Sequence, residues 1–132
     1  MQEINYLGVI VAAIVAVAFT GIWYIAFSKV MAKITSTPFA EIQKERKPWK
    51  VFVTLGEYII IALILAYFVE RMSVASWTEA AMLGFVVWVG FSATQWFGAM
   101  TWDKMPWGAA LIRAGDWLGK LILMAIIISL FK

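Results

Sequence analysis

The chain has 132 residues, 64% hydrophobic and 14% charged, with a net charge of +3. A soluble domain carries roughly 45–50% apolar residues, and one short core cannot hide the excess, so lipid is the expected solvent. Cysteine and histidine are both absent, which excludes disulfides, thiol chemistry, thiolate or imidazole metal sites, axial haem ligation and histidine-based catalysis. No cofactor or metal is expected. The basic charge concentrates in one loop, so nucleic acid is not an expected partner.

Ile4 to Phe27 reads as the first transmembrane helix. It holds no charged residue and is long enough to cross ~30 Å of hydrocarbon. Met1-Gln2-Glu3 lacks a basic n-region and the apolar run is too long for a cleavable signal, so a retained span is expected. The next connection, Ser28 to Lys50, sets Lys29, Lys33, Lys44, Arg46, Lys47 and Lys50 against Glu41 and Glu45. The positive-inside rule places it in the cytoplasm. Within it Thr37-Pro38 marks a helix start. Phe39 and Ile42 among the charges predict a short interfacial helix that stops before Pro48.

The second span is predicted from Trp49 to Val69, interrupted by Glu57, and the third from Ala80 to Trp102, with Gln95 its most polar member. The fourth is awkward. Its clean apolar stretch, Leu121 to Phe131, is about 16 Å of helix and cannot cross a bilayer. To span, the helix must begin near Gly108, which draws Arg113, Asp116 and Lys120 into the membrane. The alternative is a half-helix dipping in from one side. The full span is preferred because lipid rejects unpaired backbone. Trp49, Trp77, Trp102 and Trp107 fall at predicted span ends, where interfacial anchors belong.

The expected fold class is therefore all-α: a polytopic four-transmembrane-helix bundle in one domain, 1–132, with spans at about 4–27, 49–69, 80–102 and 108–131 and a short cytoplasmic interfacial helix between the first two. Both termini lie outside a bacterial inner (plasma) membrane in this reading.

Each span offers its most polar residues to the cytoplasmic half of the bilayer. These are Thr20, Trp23 and Tyr24 on the first, Glu57 and Tyr58 on the second, Gln95 on the third, and Arg113, Asp116, Trp117 and Lys120 on the fourth. An unpaired charge at a helix centre costs ~2.5–3.5 kcal/mol, and the carboxylates are too short to snorkel. An internal network is expected, with Glu57 and Asp116 balanced by Arg113 and Lys120. It either fixes helix register or lines a pocket that binds or relays something polar. Gly115 and Gly119, and the stripe Gly90, Thr94 and Gly98, permit close helix approach, within the chain or as the seam of a homo-oligomer.

Asn5-Tyr6 and Gly21, Trp23, Tyr24 in INYLGVIVAAIVAVAFTGIWYIAFSKVMAK, with MLGFVVWVGFSATQWF and PWGAALIRAGDWLGKLILMAI, carry a family resemblance. On these segments the chain resembles the small bacterial membrane family catalogued as domain of unknown function 1761. The resemblance implies fold and membrane placement but no established activity. Arg113 and Asp116 stand where the family pattern has an uncharged residue and an aromatic, and Thr94-Gln95 stands where it tends towards Pro-Thr. A function shared by the family need not then use the charged set.

Three functions remain open on the sequence. The first is binding or transport of a small polar or amphipathic molecule at an intramembrane charged pocket. The second is a structural or accessory membrane subunit whose charges only fix packing. The third, ranked last for want of a nucleophilic constellation, is an intramembrane enzyme using Glu57 or Asp116 as general acid or base.

Overall fold

The computed structural model describes residues 5–35 and 48–131; the interfacial helix expected after Thr37 lies outside them. The described residues are helical nearly throughout. α1 runs Tyr6–Ala26, α2 Ser28–Thr35, α3 Pro48–Arg71, α4 Trp77–Val87, a π-helical segment Trp88–Ala93, α5 Thr94–Trp102 and α6 Trp107–Leu130. α4, the π segment and α5 form one rod. Three helical stretches are long and apolar enough to cross a membrane: Tyr6–Ala26, Trp49–Arg71 and Trp77–Trp102.

The helix ends have local causes. The Asn5 side chain accepts from the Leu7 and Gly8 amides and so caps α1. Ser76 caps α4 by accepting from the Glu79 amide, while the Glu79 carboxylate reaches back to the Ala75 amide at 2.7 Å. That reciprocal pair is a variant of the capping box, and it starts the helix at Trp77, three residues before the sequence-predicted Ala80. Pro106, in an extended conformation, is the N-cap residue of α6, which starts at Trp107. Where a loop was expected after Phe27, the chain turns and continues as α2. Met31 is buried there against Ala109 and Ile112, while Lys29, Val30 and Lys33 face outward.

α6 is the hub. It packs against α1, α2, α3 and the whole α4–α5 rod, and α1 also packs against α3. The rod's backbone approaches α6 and makes no comparable approach to α1 or α3. α1 and α6 run antiparallel: Gly8 lies beside Phe131 at one end and Gly115 beside Trp23 towards the other. The Asn5 side-chain amide donates to the Phe131 carbonyl, tying the start of α1 to the end of α6.

Close approach depends on small residues. Ala12, Ala13 and Ala16 of α1, Ala62 of α3 and Ala125 of α6 are fully buried. At Gly84 a Cβ would lie 2.8 Å from the Ile122 Cα, so α4 and α6 touch backbone to backbone there. The Gly115 and Gly119 positions are filled within the chain by Trp23 and Phe19 of α1. Gly90 and Gly98 meet nothing within 4 Å.

The buried set of α6 (Ala109, Ala110, Ile112, Asp116, Lys120, Leu121, Met124, Ala125 and Ile128) runs its whole length. This helix, with three charged residues in its middle, is the most enclosed of the long helices. Every 18-residue stretch of it contains Arg113, Asp116 and Lys120, so composition alone would not pass it as a span.

Candidate functional site

At the middle of α6, Asp116 and Lys120 are each 1% exposed. They stand four residues apart, so their side chains meet on one face, and the Lys120 ammonium lies 2.9 Å from Asp116 Oδ2. The same ammonium donates to the Tyr58 hydroxyl at 2.6 Å. Thr20 of α1 donates to Asp116 Oδ1 at 3.0 Å and lies 3.2 Å from the Tyr58 hydroxyl. Three helices thus close one ring of polar contacts.

Donor bookkeeping fixes its direction. A threonine hydroxyl has one proton, and here the carboxylate takes it. Thr20 must therefore accept from Tyr58, and Tyr58 must accept from Lys120. The circuit runs from Lys120 to Tyr58 to Thr20 to Asp116, and a second bond from Lys120 to Asp116 closes it. The ammonium also faces two ring planes, 3.7 Å from the Trp117 centroid and 4.4 Å from that of Tyr58. Cation–π attraction of this kind strengthens when water is excluded. Two of the lysine's three donors are hydrogen-bonded, and the pair sums to zero charge.

Helical rise places this ring near the middle of the bundle. Asp116 lies about 14 Å along α6 from Trp107, and Tyr58 about 15 Å along α3 from Pro48. That depth leaves neither charge a short route to water.

A second group sits about one turn nearer the start of α6. The Trp23 indole donates to the Ile112 carbonyl at 2.9 Å, and the Trp88 indole to the Ala114 carbonyl at 2.8 Å. Two tryptophans from two neighbouring helical elements therefore bond to α6 at the residues flanking Arg113. A helical carbonyl has a second lone pair to give, so neither bond breaks the helix. The Arg113 guanidinium lies 5.9 Å from the Trp96 ring and beside the Tyr24 hydroxyl.

Of the residues singled out in the sequence, Thr20, Tyr58, Asp116, Trp117 and Lys120 meet in the ring, and Trp23, Tyr24 and Arg113 gather beside it. Glu57 and Gln95 are in neither group, because both are exposed. The expected four-charge balance is thus replaced by an Asp116–Lys120 pair. On α3 the buried row is Tyr58, Ala62, Leu65, Ala66 and Val69. Glu57 precedes that row by one residue, about 100° round the helix, and points outward.

Phe19, Gly84 and Trp88 escaped the sequence reading as site residues. Trp88 carried a signal: an indole N–H deep in a span needs an acceptor, and only a neighbouring helix can supply one. Gly84 carried none that separates it from Gly90.

The match to the family model described as protein of unknown function, DUF1761, covers residues 7–129. The chain belongs to the DUF1761 family. The matched region contains every member of the ring and both gripping tryptophans. Comparison with curated proteins and with solved structures gave no match. Among the described residues no group of three or more acidic, cysteine or histidine side chains is placed to hold a metal ion.

Proposed function

We propose that this DUF1761 protein is a non-enzymatic, multi-pass membrane subunit. In this reading α6 is its fourth and central span, and the Asp116–Lys120 pair is a packing key. The observation that carries it is the enclosure of a pair only 1% exposed. A site that binds or moves a small polar molecule needs an approach to its charges. Here the ammonium is enclosed by a carboxylate, a hydroxyl and two rings. The pair itself is local to α6, so register is set by its bonds to the neighbouring helices: a misaligned packing parts Lys120 from Tyr58 and Asp116 from Thr20 inside the bundle.

The distribution of charge supports cytoplasmic placement of the α2 end. Lys29, Lys33, Lys50 and Lys104 lie there with Asp103, while the opposite end carries Glu70, Arg71 and Glu79. Trp49, Trp102 and Trp107, all exposed, ring the basic end, and Tyr6 and Trp77 the other. This is the pattern of interfacial belts. Both termini are then external, and the bacterial inner membrane is the proposed location. If the subunit self-associates, the stripe Gly90, Thr94 and Gly98 is the available seam, since α1 already fills Gly115 and Gly119.

Two measurements test the reading. Asp116→Leu and Lys120→Leu each leave a lone buried charge and should each cost about 3–5 kcal/mol, while the double variant regains most of it. Unchanged melting of both single variants in detergent would refute the packing key. For the fourth span, the cysteine-free sequence allows direct scanning: Leu118→Cys and Leu123→Cys should resist a membrane-impermeant maleimide from both sides. Ready labelling would remove α6 from the membrane.

A further inference from the structure

The α1 helix and the α4–α5 rod both pack on α6 and make no comparable backbone approach to each other. Arg113 of α6 is half-buried between Tyr24 of α1 and Trp96 of α5. Its Nε is buried and has no hydrogen-bond partner among the described residues. Asp116, the anion one turn away, is committed to Thr20 and Lys120. Neither α1 nor α5 carries an acidic residue.

We propose that Arg113 holds the phosphate of an anionic phospholipid seated against α1 and α5 beside Tyr24 and Trp96. The inference rests on α6 being embedded in the membrane. Arg113 lies six residues past Trp107, about 9 Å along the helix. From that depth its long side chain reaches the phosphate level of a leaflet. A phosphodiester offers the two oxygens that a guanidinium fork pairs with best. Exposed Ile22 and Ile25 of α1 and Phe97 of α5 offer acyl chains apolar surface on the same two helices. Exposed Lys29, Lys33 and Lys104 at the same end favour an anionic headgroup over a zwitterionic one. A soluble anion has no comparable gain from the apolar surface, so the bilayer is the source.

Native mass spectrometry of the full-length protein tests this with phosphatidylglycerol and phosphatidylcholine as probes. Wild type should retain phosphatidylglycerol in preference to phosphatidylcholine, and inorganic phosphate should not displace it. Arg113→Gln should lose this retention about tenfold, Arg113→Lys should lose part of it, and Lys33→Gln should keep it. Equal retention in wild type and Arg113→Gln overturns the proposal in favour of headgroups gathered by surface lysines. Displacement by inorganic phosphate overturns it in favour of a soluble anion. Loss of an oligomer in both Arg113→Gln and Glu57→Gln, without loss of lipid, assigns Arg113 to the carboxylate of a second copy. Should Arg113→Gln fail to fold, Arg113→Lys decides, and undiminished retention overturns the proposal. Failure of the embedded-α6 reading shows separately, as aqueous labelling of Leu118→Cys.

Discussion

The hydroxyl of Tyr58 lies 2.6 Å from the ammonium of Lys120 and passes its own proton on to Thr20, 3.2 Å away. One phenol thereby joins α3 to both α1 and α6. Tyr58→Phe keeps the ring beneath the ammonium and deletes only the hydroxyl. It should lower stability by about 1–3 kcal/mol, because a charged donor and Thr20 each lose a partner. Thermal melting in detergent reads this directly. A Tyr58→Phe variant as stable as wild type would show that the circuit contributes nothing.

Glu57 and Asp116 separate sharply. Asp116 is enclosed, while Glu57 is exposed on the outer face of α3. Glu57→Leu should leave the melting temperature of the isolated protein unchanged or raise it, since an outward carboxylate at this depth is itself a cost. Asp116→Leu should lower it. Equal loss from both substitutions would place Glu57 inside the network after all.

Glycine substitutions should rank by what the added carbon meets. Gly84→Ala sets a methyl group 2.8 Å from the Ile122 Cα, backbone that cannot swing aside, and should cost about 1–3 kcal/mol as overpacking does. Gly119→Ala meets the Phe19 ring, which can partly yield. Gly90→Ala and Gly98→Ala meet nothing and should leave the monomer's melting unchanged. If either one lowers an oligomer's mass in detergent without lowering stability, the stripe is a seam between copies.

Trp23→Phe and Trp88→Phe each remove one indole donor while keeping an apolar ring. Each should cost about 0.5–1.5 kcal/mol through the lost bond to the Ile112 or Ala114 carbonyl. Melting curves of the single variants check this, and unchanged curves would reduce both tryptophans to space filling.

Sidedness is open to the same cysteine-free scan. Lys33→Cys should label with an impermeant maleimide only from the cytoplasmic side, and Ser73→Cys only from outside. The reverse pattern would invert the proposed orientation.

Much of the chain is legible in its residues alone. The apolar stretches around α1, α3 and the α4–α5 rod follow from residue-by-residue hydropathy. The four-residue spacing of Asp116 and Lys120 makes their pairing a local property of one helix. The choice among outward and inward polar residues is not legible there. Thr54, Glu57 and Tyr58 share a broad face of α3 by periodicity, and only the position of α1 and α6 against that helix selects Tyr58 and rejects Glu57. The same holds for the glycines. Gly84 and Gly90 are alike in sequence, yet one lies against backbone and the other is open.

Hydropathy is a sum over residues, so the sequence by itself determined that this chain is helical, that three stretches suit a bilayer, and that a fourth, charged helix needs shelter. What shelters it is a matter of rotation. Each residue turns a helix by about 100°, so a small change in how two helices face one another exchanges a buried carboxylate for an exposed one. Tertiary structure made that choice: it put α6 at the hub, closed the Asp116–Lys120 pair against Tyr58 and Thr20, turned Glu57 outward and left Arg113 between Tyr24 and Trp96.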